Sequence, residues 1–326
     1  MTAILVRACC CLLFACLSIA PASAEWRQGE TAIMGTRIAV ELWHDDAAQA
    51  DSAIEAVFAE MRRIDVLMSH YKPESQLSQV NARAAQGWVT VDRELFLLVR
   101  RALEFSPLSD GAFDITYASV GYLYDYRAHQ HPGQSAIDAA LPAVNWRLVQ
   151  LDDRASAIRY ARAGMRIDLG GIAKGYACER AAAILRGLGV AHAVVTAGGD
   201  SRILGDRRGR PWVVGIRHPD DEKRVIARIP LEDEAISTSG DYERFFDEDG
   251  HRFHHIIDPK TGKSAGALRS VTIVGPDATT TDGLSTAVFV LGPERGLALI
   301  AKMTGYEAVL VTREGRVLYS QGLAPP

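Results

Sequence analysis

The chain has 326 residues, of which 48% are hydrophobic, enough to bury a substantial core and to form about two domains. Its formal net charge is −4 at pH 7, and its pI is near 6.2. The sequence contains no basic stripe, so it gives no support for nucleic-acid binding.

The first 24 residues have the layout of a secretory signal peptide. Arg7 is the only charge before an apolar run over residues 8–20, and Pro21 is followed by the small residues Ala22, Ser23 and Ala24. The run is shorter than the roughly 20 residues that a membrane span needs. We therefore predict cleavage after Ala24, and an exported, periplasmic protein.

The cysteines support export. Four of the five lie in the leader, so cleavage leaves only Cys178 and no internal disulfide. Cys178 falls in an alanine-rich helical stretch, which predicts a small core residue rather than a nucleophile. Residues 13–16 also resemble a lipoprotein cleavage box, so lipidation at Cys16 and anchoring to the inner membrane remain the alternative.

The first half of the chain alternates between strand and helix patterns. Apolar residues alternate over 36–42, which predicts a half-buried strand. Over residues 51–69 they recur at helical intervals, which predicts the strongest amphipathic helix of the chain, and a second helix follows over 93–105. Residues 122–144 contain the breakers Pro132 and Gly133, and we predict an irregular segment there.

The second half is richer in strands. We predict a strand over 165–169 that leads into a glycine turn, and helices over 175–186, 282–290 and 294–303. Further strands are predicted at 193–196, 212–217, 225–229, 270–274, 308–311 and 317–320. Because strands come in runs, the pattern favours an α+β fold with mixed or antiparallel sheets. A domain boundary near residue 160 is only weakly marked.

Residues 167–177 read I-D-L-G-G-I-A-K-G-Y-A and form the richest motif. A strand ends, two glycines allow a tight turn, and a helix begins with Lys174 in its first turn. Free N–H groups at a helix start favour anions, and the lysine adds a positive charge. The pattern is neither a P-loop nor G-x-G-x-x-G, and an ordinary glycine turn with a solvated lysine stays open.

Residues 281–287 read T-D-G-L-S-T-A. On a helix, Asp282 and Thr286 are four residues apart and share one face, with Ser285 beside them. A carboxylate and neighbouring hydroxyls are hard oxygen ligands that suit Mg²⁺. The alternative is that Asp282 merely caps the start of the helix.

Residues 251–259 read H-R-F-H-H-I-I-D-P, which invites a zinc site. No cysteine lies nearby, and the spacing matches no strong zinc signature. In an extended segment His254 and His255 face opposite sides and cannot easily ligate one metal together. One of them as a general base is the more plausible functional reading, and a purely structural histidine is the alternative.

Several shorter motifs accompany these three. They are M-G-T at 34–36, Ser69-x-Tyr71 leading to Ser75 and Asn81, G-A-F-D-I-T at 111–116, A-G-G-D at 197–200, S-T-S-G-D-Y at 237–242 and H-I-I-D-P-x-T-G at 255–262. In this order, over residues 34 to about 292, the set resembles the ApbE family, the FAD:protein FMN transferases. The combination is far more specific than any one motif.

The resemblance implies one flavin transferase domain over 25–326, made of two α/β subdomains with a likeness to the T-fold. FAD is implied as the substrate and Mg²⁺ as the cofactor. His255 is implied as the base, and Gly283 stands where the family more often has alanine. The residues implied to line the FAD site are Met34, Tyr71, Ala112, Phe113, Asp114, Asp168, Lys174 and Ile256. The implied Mg²⁺ ligands are Asp282, Ser285 and Thr286, with a main-chain oxygen at Gly171 or Ala173.

The same resemblance implies the reaction and the partner. FMN would pass from FAD to a threonine or serine hydroxyl of a flavin-carrying subunit of a membrane redox complex, and AMP would leave. Two alternatives stay open: an FAD pyrophosphatase that releases FMN and AMP, and a non-catalytic periplasmic factor that binds flavin.

Overall fold

The computed structural model describes residues 25–323. The predicted leader lies outside this range, so cleavage at Ala24 and lipidation at Cys16 stay predictions. Among the described residues, none of the helices combines the length and the apolar character that a bilayer-spanning segment needs.

The central element is an eight-stranded sheet with the strand order β1-β2-β6-β7-β10-β15-β16-β17, in which neighbouring strands are antiparallel. This confirms the predicted α+β class with antiparallel pairing. The described strands, in chain order, are β1 (Glu25–Ile33), β2 (Thr36–His44), β3 (Val89–Thr90), β4 (Val149–Asp152), β5 (Ala157–Tyr160), β6 (Ala193–Ala197), β7 (Asp200–Leu204), β8 (Trp212–His218), β9 (Asp221–Leu231), β10 (Ala235–Gly240), β11 (Phe245–Glu248), β12 (His251–His254), β13 (Ile257–Asp258), β14 (Lys263–Ser264), β15 (Leu268–Gly275), β16 (Glu307–Thr312) and β17 (Val317–Tyr319).

The helices of the described residues confirm the main periodic predictions. The long amphipathic helix begins after Asp46, whose side chain accepts hydrogen bonds from the next free N–H groups, and it buries Ile54, Val57, Met61 and Ile64 at helical spacing. In chain order the helices are α1 (Ala47–Met68), α2 (Gln76–Arg83), α3 (Arg93–Leu108), α4 (Ala118–Gly121), α5 (Gln134–Ala140), α6 (Ala173–Gly187), α7 (Ala278–Leu291) and α8 (Pro293–Ile300).

The two faces of the sheet bury different partners, because successive strand residues point to opposite sides. On β16, Ala308 and Leu310 join the main core with helices α1, α6 and α7, while Val309 joins a second cluster under the β8–β9 hairpin. Cys178 of α6 is fully buried in the main core, as predicted, and burial raises its pKa. Strand β2 pairs with β6, across the proposed boundary near residue 160, which stays a prediction.

Two predicted segments differ from the structure. Residues 165–169 are extended but pair with no strand, because side chains satisfy their backbone: Asn81 bonds both the N–H and the C=O of Ile167, and Ser119 Oγ accepts from the N–H of Arg166. The segment 122–144, predicted as irregular, contains the short helix α5 immediately after Gly133.

Candidate active site

Helices α6 and α7 touch backbone to backbone, and this contact brings the 168–174 turn beside Asp282. The N–H of Gly175 donates to Asp282 Oδ2 over 2.9 Å. A Cβ on Gly175 would overlap the carbonyl oxygen of Ala278 and lie 2.7 Å from Cβ of Asp282. Only glycine therefore permits the approach that the site requires.

The start of α7 excludes the capping interpretation of Asp282. Asp277 is the N-cap, and its Oδ1 accepts from the N–H of Thr280 over 2.7 Å. Asp282 lies inside the helix and is only 1% exposed. A buried carboxylate in a helix interior needs a cation or hydrogen-bond donors, and here it has both.

Lys174 forms an ion pair with Asp200 and lies 3.5 Å from Asp282 Oδ1. Burial, followed by repulsion from Asp200, raises the pKa of Asp282 to about 7. Burial would lower the pKa of Lys174, but the two carboxylates outweigh it and raise that pKa above its usual value. Asp200 Oδ1 is buried and has no hydrogen-bond partner among residues 25–323.

Hydroxyl groups link α7 to strand β10. Ser239 Oγ lies 2.8 Å from Ser285 Oγ, which donates to the carbonyl oxygen of Asp282 over 2.8 Å. The Ser285 hydroxyl is therefore engaged inside the protein. Thr286 is partly exposed, lies 3.4 Å from Ser239, and faces the turn: a Cβ on Gly171 would be 3.0 Å from Thr286 Oγ1.

These oxygens fit a magnesium ion. Among the described residues, no group of three or more His, Cys, Asp or Glu side chains could hold a metal. Mg²⁺ does not need one, because it accepts one carboxylate with a hydroxyl or carbonyl oxygen and completes its shell with water and phosphate. Asp282, Thr286 and the turn at Gly171 offer such a set, and the ligand assignments stay predictions.

The structure separates the two neighbouring histidines. His254 is buried, its Nε2 lies 2.7 Å from the carbonyl oxygen of Ala265, and its Nδ1 accepts from the N–H of Ile256. Burial lowers its pKa to about 4. His254 is therefore a structural histidine, whose side chain lines a cavity of about 730 Å³ bounded by β12 and β14.

Of these two histidines, His255 is the one with a ring nitrogen available to a ligand. The ring nitrogen Nδ1 of His255 is buried without a hydrogen-bond partner among the described residues. The backbone N–H of His255 donates to the carbonyl oxygen of Arg244 over 3.1 Å. Burial, helped by the positive charges of Arg244 and Lys174, lowers its pKa to about 3. The ring is therefore neutral near pH 7 and able to accept a proton.

The turn that contains Met34 and Gly35 and the Tyr71 hydroxyl both lie beside the guanidinium group of Arg244. Met34 and Gly35 form the two-residue turn between β1 and β2, with φ values of 56° and 69°, as a type I′ hairpin requires. A Cβ on Gly35 would lie 3.6 Å from the Arg244 guanidinium, which also donates to the Tyr71 hydroxyl over 3.3 Å. The Tyr71 side chain is 70% exposed and free to face a ligand.

The predicted residues at 112–114 lie behind the turn. Ala112, Phe113 and Ile256 are buried, and the Phe113 ring would be 3.3 Å from a Cβ on Gly171. The Asp114 carboxylate accepts from the N–H and the hydroxyl of Thr116 and from the N–H of Trp146, and burial raises its pKa. The side chain of Asp114 therefore stabilises the backbone conformation around residues 112–116.

Asp168 is almost fully buried at the start of the glycine turn. Oδ1 accepts from the N–H of Gly170 over 2.6 Å, and Oδ2 lies 2.5 Å from Nδ1 of His70. Burial alone would raise the pKa of Asp168, but its contact with His70 and its hydrogen bond from the N–H of Gly170 outweigh it and lower this pKa.

Four side chains at the site received no role from the sequence: His70, Asp200, Ser239 and Arg244. Each lies within or beside a motif: Asp200 ends A-G-G-D, Ser239 belongs to S-T-S-G, and His70 is the variable position between Ser69 and Tyr71. Arg244 follows the S-T-S-G-D-Y motif by two residues. A search for charged or hydroxyl residues inside recognised motifs would have found three of the four.

The model of the ApbE family matches residues 34–310. The chain belongs to the ApbE family. A protein of Treponema pallidum (strain Nichols) named FAD:protein FMN transferase is 34% identical over 310 residues, which cover 89% of this chain and 86% of that protein. A protein of Klebsiella pneumoniae (strain 342) with the same name is 32% identical and covers 88% of this chain, with 90% of its own length aligned.

Solved ApbE structures share this fold. The crystal structure of the ApbE protein of Thermotoga maritima aligns with a TM-score of 0.85 and 35% identity, over 91% of this chain and 98% of that one. The apo form of the flavinyl transferase ApbE of Pseudomonas stutzeri aligns with a TM-score of 0.81 and 29% identity, over 91% and 95% of the two chains. The chain is thus a member of an enzyme family of transferases.

Proposed function

We propose that this protein transfers the FMN moiety of FAD to a threonine or serine hydroxyl of another protein, with Mg²⁺ as cofactor and AMP as the leaving product. The observation that carries the proposal is the α6–α7 contact. This contact places Asp282 and Thr286 of α7 beside the 168–174 turn, which ends at Lys174. Oxygens able to bind a metal and a positively charged side chain therefore share one site. The names of the relatives support FAD as the substrate.

In this proposal Asp282 and Thr286, with a main-chain oxygen at Gly171 or Ala173, would hold Mg²⁺. A bound Mg²⁺ would supply positive charge against the pyrophosphate oxygens. Lys174, fixed by Asp200, supplies a further positive charge on the same side. Positioning and charge neutralisation of this kind account for most of the catalysis in phosphoryl transfer.

The acceptor oxygen attacks the phosphorus on the FMN side of the pyrophosphate. A new P–O bond forms to the acceptor, the bond from that phosphorus to the bridging oxygen breaks, and AMP leaves. His255 accepts the hydroxyl proton through its unpartnered Nδ1. An anionic pyrophosphate beside the ring favours imidazolium, and therefore raises the low pKa of His255 when FAD is bound.

The partner and the location belong to the same proposal. We infer an acceptor that is a flavin-carrying subunit of a membrane redox complex, modified outside the cytoplasm. The layout of residues 1–24 supports export to the periplasm, with either cleavage after Ala24 or attachment to the inner membrane through a lipidated Cys16.

The test uses purified protein, FAD, Mg²⁺ and an acceptor domain, with the acceptor mass as the readout. We expect an acceptor heavier by one FMN, together with AMP in equal amount. AMP and free FMN without acceptor modification would instead identify an FAD pyrophosphatase. FAD binding with no turnover in either assay would identify a non-catalytic flavin-binding factor.

The histidine provides a second test. His255→Ala should lower the transfer rate by about 10²–10⁴-fold, the usual contribution of a general base. The control is His254→Gln, which changes the structural neighbour and should affect stability more than rate. An unchanged rate in the His255 variant would remove this residue from the mechanism.

A further inference from the structure

His70 and Asp168 form a histidine–carboxylate pair whose more exposed member is the histidine. Nδ1 of His70 lies 2.5 Å from Oδ2 of Asp168, and the two side chains are 22% and 4% exposed. The other carboxylate oxygen accepts from the N–H of Gly170. Both oxygens of Asp168 therefore have partners inside the protein, and the group that a ligand can reach is His70.

The contact with Asp168 decides which ring nitrogen carries the proton. An ionised carboxylate only accepts hydrogen bonds, so the neutral ring holds its proton on Nδ1 and leaves a lone pair on Nε2. Nε2 makes no hydrogen bond to the part of the chain that the structure describes. A buried carboxylate thus orients the imidazole, and an acceptor nitrogen is left for a ligand.

The surroundings of His70 are those of the predicted flavin site. Its ring lies 3.8 Å from the ring of Tyr71 and 5.2 Å from that of Tyr122, between ring centroids. Tyr71 in turn accepts a hydrogen bond from Arg244, beside the Met34–Gly35 turn. His70 is therefore in direct contact with two residues, Tyr71 and Asp168, that are predicted to line the FAD site.

We propose that His70, oriented by Asp168, contacts the bound flavin dinucleotide and accepts a hydrogen bond through Nε2 from an uncharged O–H or N–H group of this ligand. This inference rests on the proposed function, in which FAD lies along Tyr71 and Asp168. The phosphates carry only acceptor oxygens at neutral pH and cannot donate such a bond. The donors of FAD lie in its flavin–ribityl part and its adenosine part, and a comparison of FAD with riboflavin distinguishes the two.

The experiment measures binding of FAD and of riboflavin, which has neither phosphate nor adenosine, by flavin fluorescence at one fixed, mildly alkaline pH. Loss of one hydrogen bond to the ligand should raise a dissociation constant about tenfold.

Two substitutions separate ligand contact from a structural role. His70→Asn keeps a donor to Asp168 and has no atom at Nε2, so it should bind FAD about tenfold more weakly. His70→Gln places an amide near Nε2 and should retain more of the affinity. His131→Asn is the control, because His131 also pairs with a carboxylate (Glu248, 2.9 Å) but lines the cavity bounded by β12 and β14.

Wild-type affinity in both His70 variants would overturn the inference and leave the proposed function intact. Weaker binding of both ligands to the His70→Asn variant would place the contact on the flavin–ribityl part of FAD, and weaker binding of FAD alone would place it on the adenosine part. A wild-type protein that binds neither flavin would remove the proposed function itself.

Discussion

Helix α6 packs against α1 on one side and α7 on the other, and the two contacts are built from different chemistry. The α1 side is mainly apolar: α1 contributes buried residues such as Val57 and Met61 to the main core, and its Glu60 forms an ion pair with Arg180 of α6. The α7 side contains the half-buried ammonium group of Lys174 and the buried carboxylate of Asp282.

This difference separates what holds the fold from what serves the site. Apolar burial on the α1 side stabilises by area and tolerates similar substitutes. The α7 side brings carboxylates and an ammonium group out of water, which is costly unless each is paired. A buried polar contact of this kind points to function, so variants on the two sides should differ in whether they affect rate or stability.

The largest effect is expected on the α7 side. Asp282→Asn keeps the size of the side chain and an acceptor for the N–H of Gly175, but it removes the charge that faces Lys174 and that is proposed to hold Mg²⁺. The rate of FMN transfer should fall by about 10³-fold, equivalent to about 4 kcal/mol of barrier. The acceptor-mass assay measures it.

The matched control for this variant is Asp277→Asn on the same helix. Asn caps helices about as well as Asp, so both the rate and the stability should stay near wild type. A similar rate loss in both variants would mean that the effect arises from helix α7 as a whole and not from the charge of Asp282.

Gly175→Ala should be the most destabilising change in α6, by about 3 kcal/mol or more in urea unfolding. Its Cβ would overlap backbone of α7 and force the two helices apart. Gly187→Ala, at the other end of α6, is the control: a Cβ there meets nothing within 4 Å, so the better helix propensity of alanine should stabilise by up to about 1 kcal/mol. Equal effects at both ends would contradict the close α6–α7 contact.

Met61→Ala addresses the α1 side. Met61 is fully buried, so truncation should lower the free energy of unfolding by about 2–3 kcal/mol. This is the lower part of the usual range for such truncations, because neighbouring side chains can relax into the cavity. The transfer rate per folded molecule should be unchanged, since Met61 belongs to the apolar main core and not to the polar contact between α6 and α7. A large fall in this rate with the fold intact would break the division between the two sides.

Gly283→Ala should have the smallest effect. Alanine favours the helix by about 1 kcal/mol, but its Cβ would lie 2.9 Å from the Phe105 ring, which must shift. We expect a net stability change within about 1 kcal/mol and an unaltered rate, because Gly283 faces Phe105 rather than the 168–174 turn. A tenfold change in rate would connect the Phe105–Phe113 contact to the site.

The sequence predicted those parts of the fold in which periodicity and burial agree. Helix α1 could be found because one apolar face recurs over its whole length, and the long strand β15 because it is apolar and short of breakers. The segment 165–169 has the same apolar pattern without a strand partner. Nothing in the pattern indicates that Asn81 and Ser119, distant along the chain, would bond its backbone.

The sequence predicted those parts of the site that depend on the spacing of residues within one element. It predicted less well the parts that depend on contacts between distant segments. The spacing of Asp282 and Thr286 puts them on one face of any helix, but only the fold assigns the capping role to Asp277. From the residue pattern alone, either His254 or His255 could be the base. The structure distinguishes them, because the His254 ring contacts a carbonyl oxygen eleven residues away and is therefore already engaged. The pairing of His70 with Asp168 likewise needs two segments about a hundred residues apart to meet.

The ammonium group of Lys174 gives two buried carboxylates a counter-ion that is part of the chain and cannot diffuse away. The charge balance of this interior is therefore established by the polypeptide itself. If Asp282 binds a divalent ion as proposed, that ion would replace Lys174 as the nearest cation, and its affinity would include the cost of weakening the contact between Lys174 and Asp282.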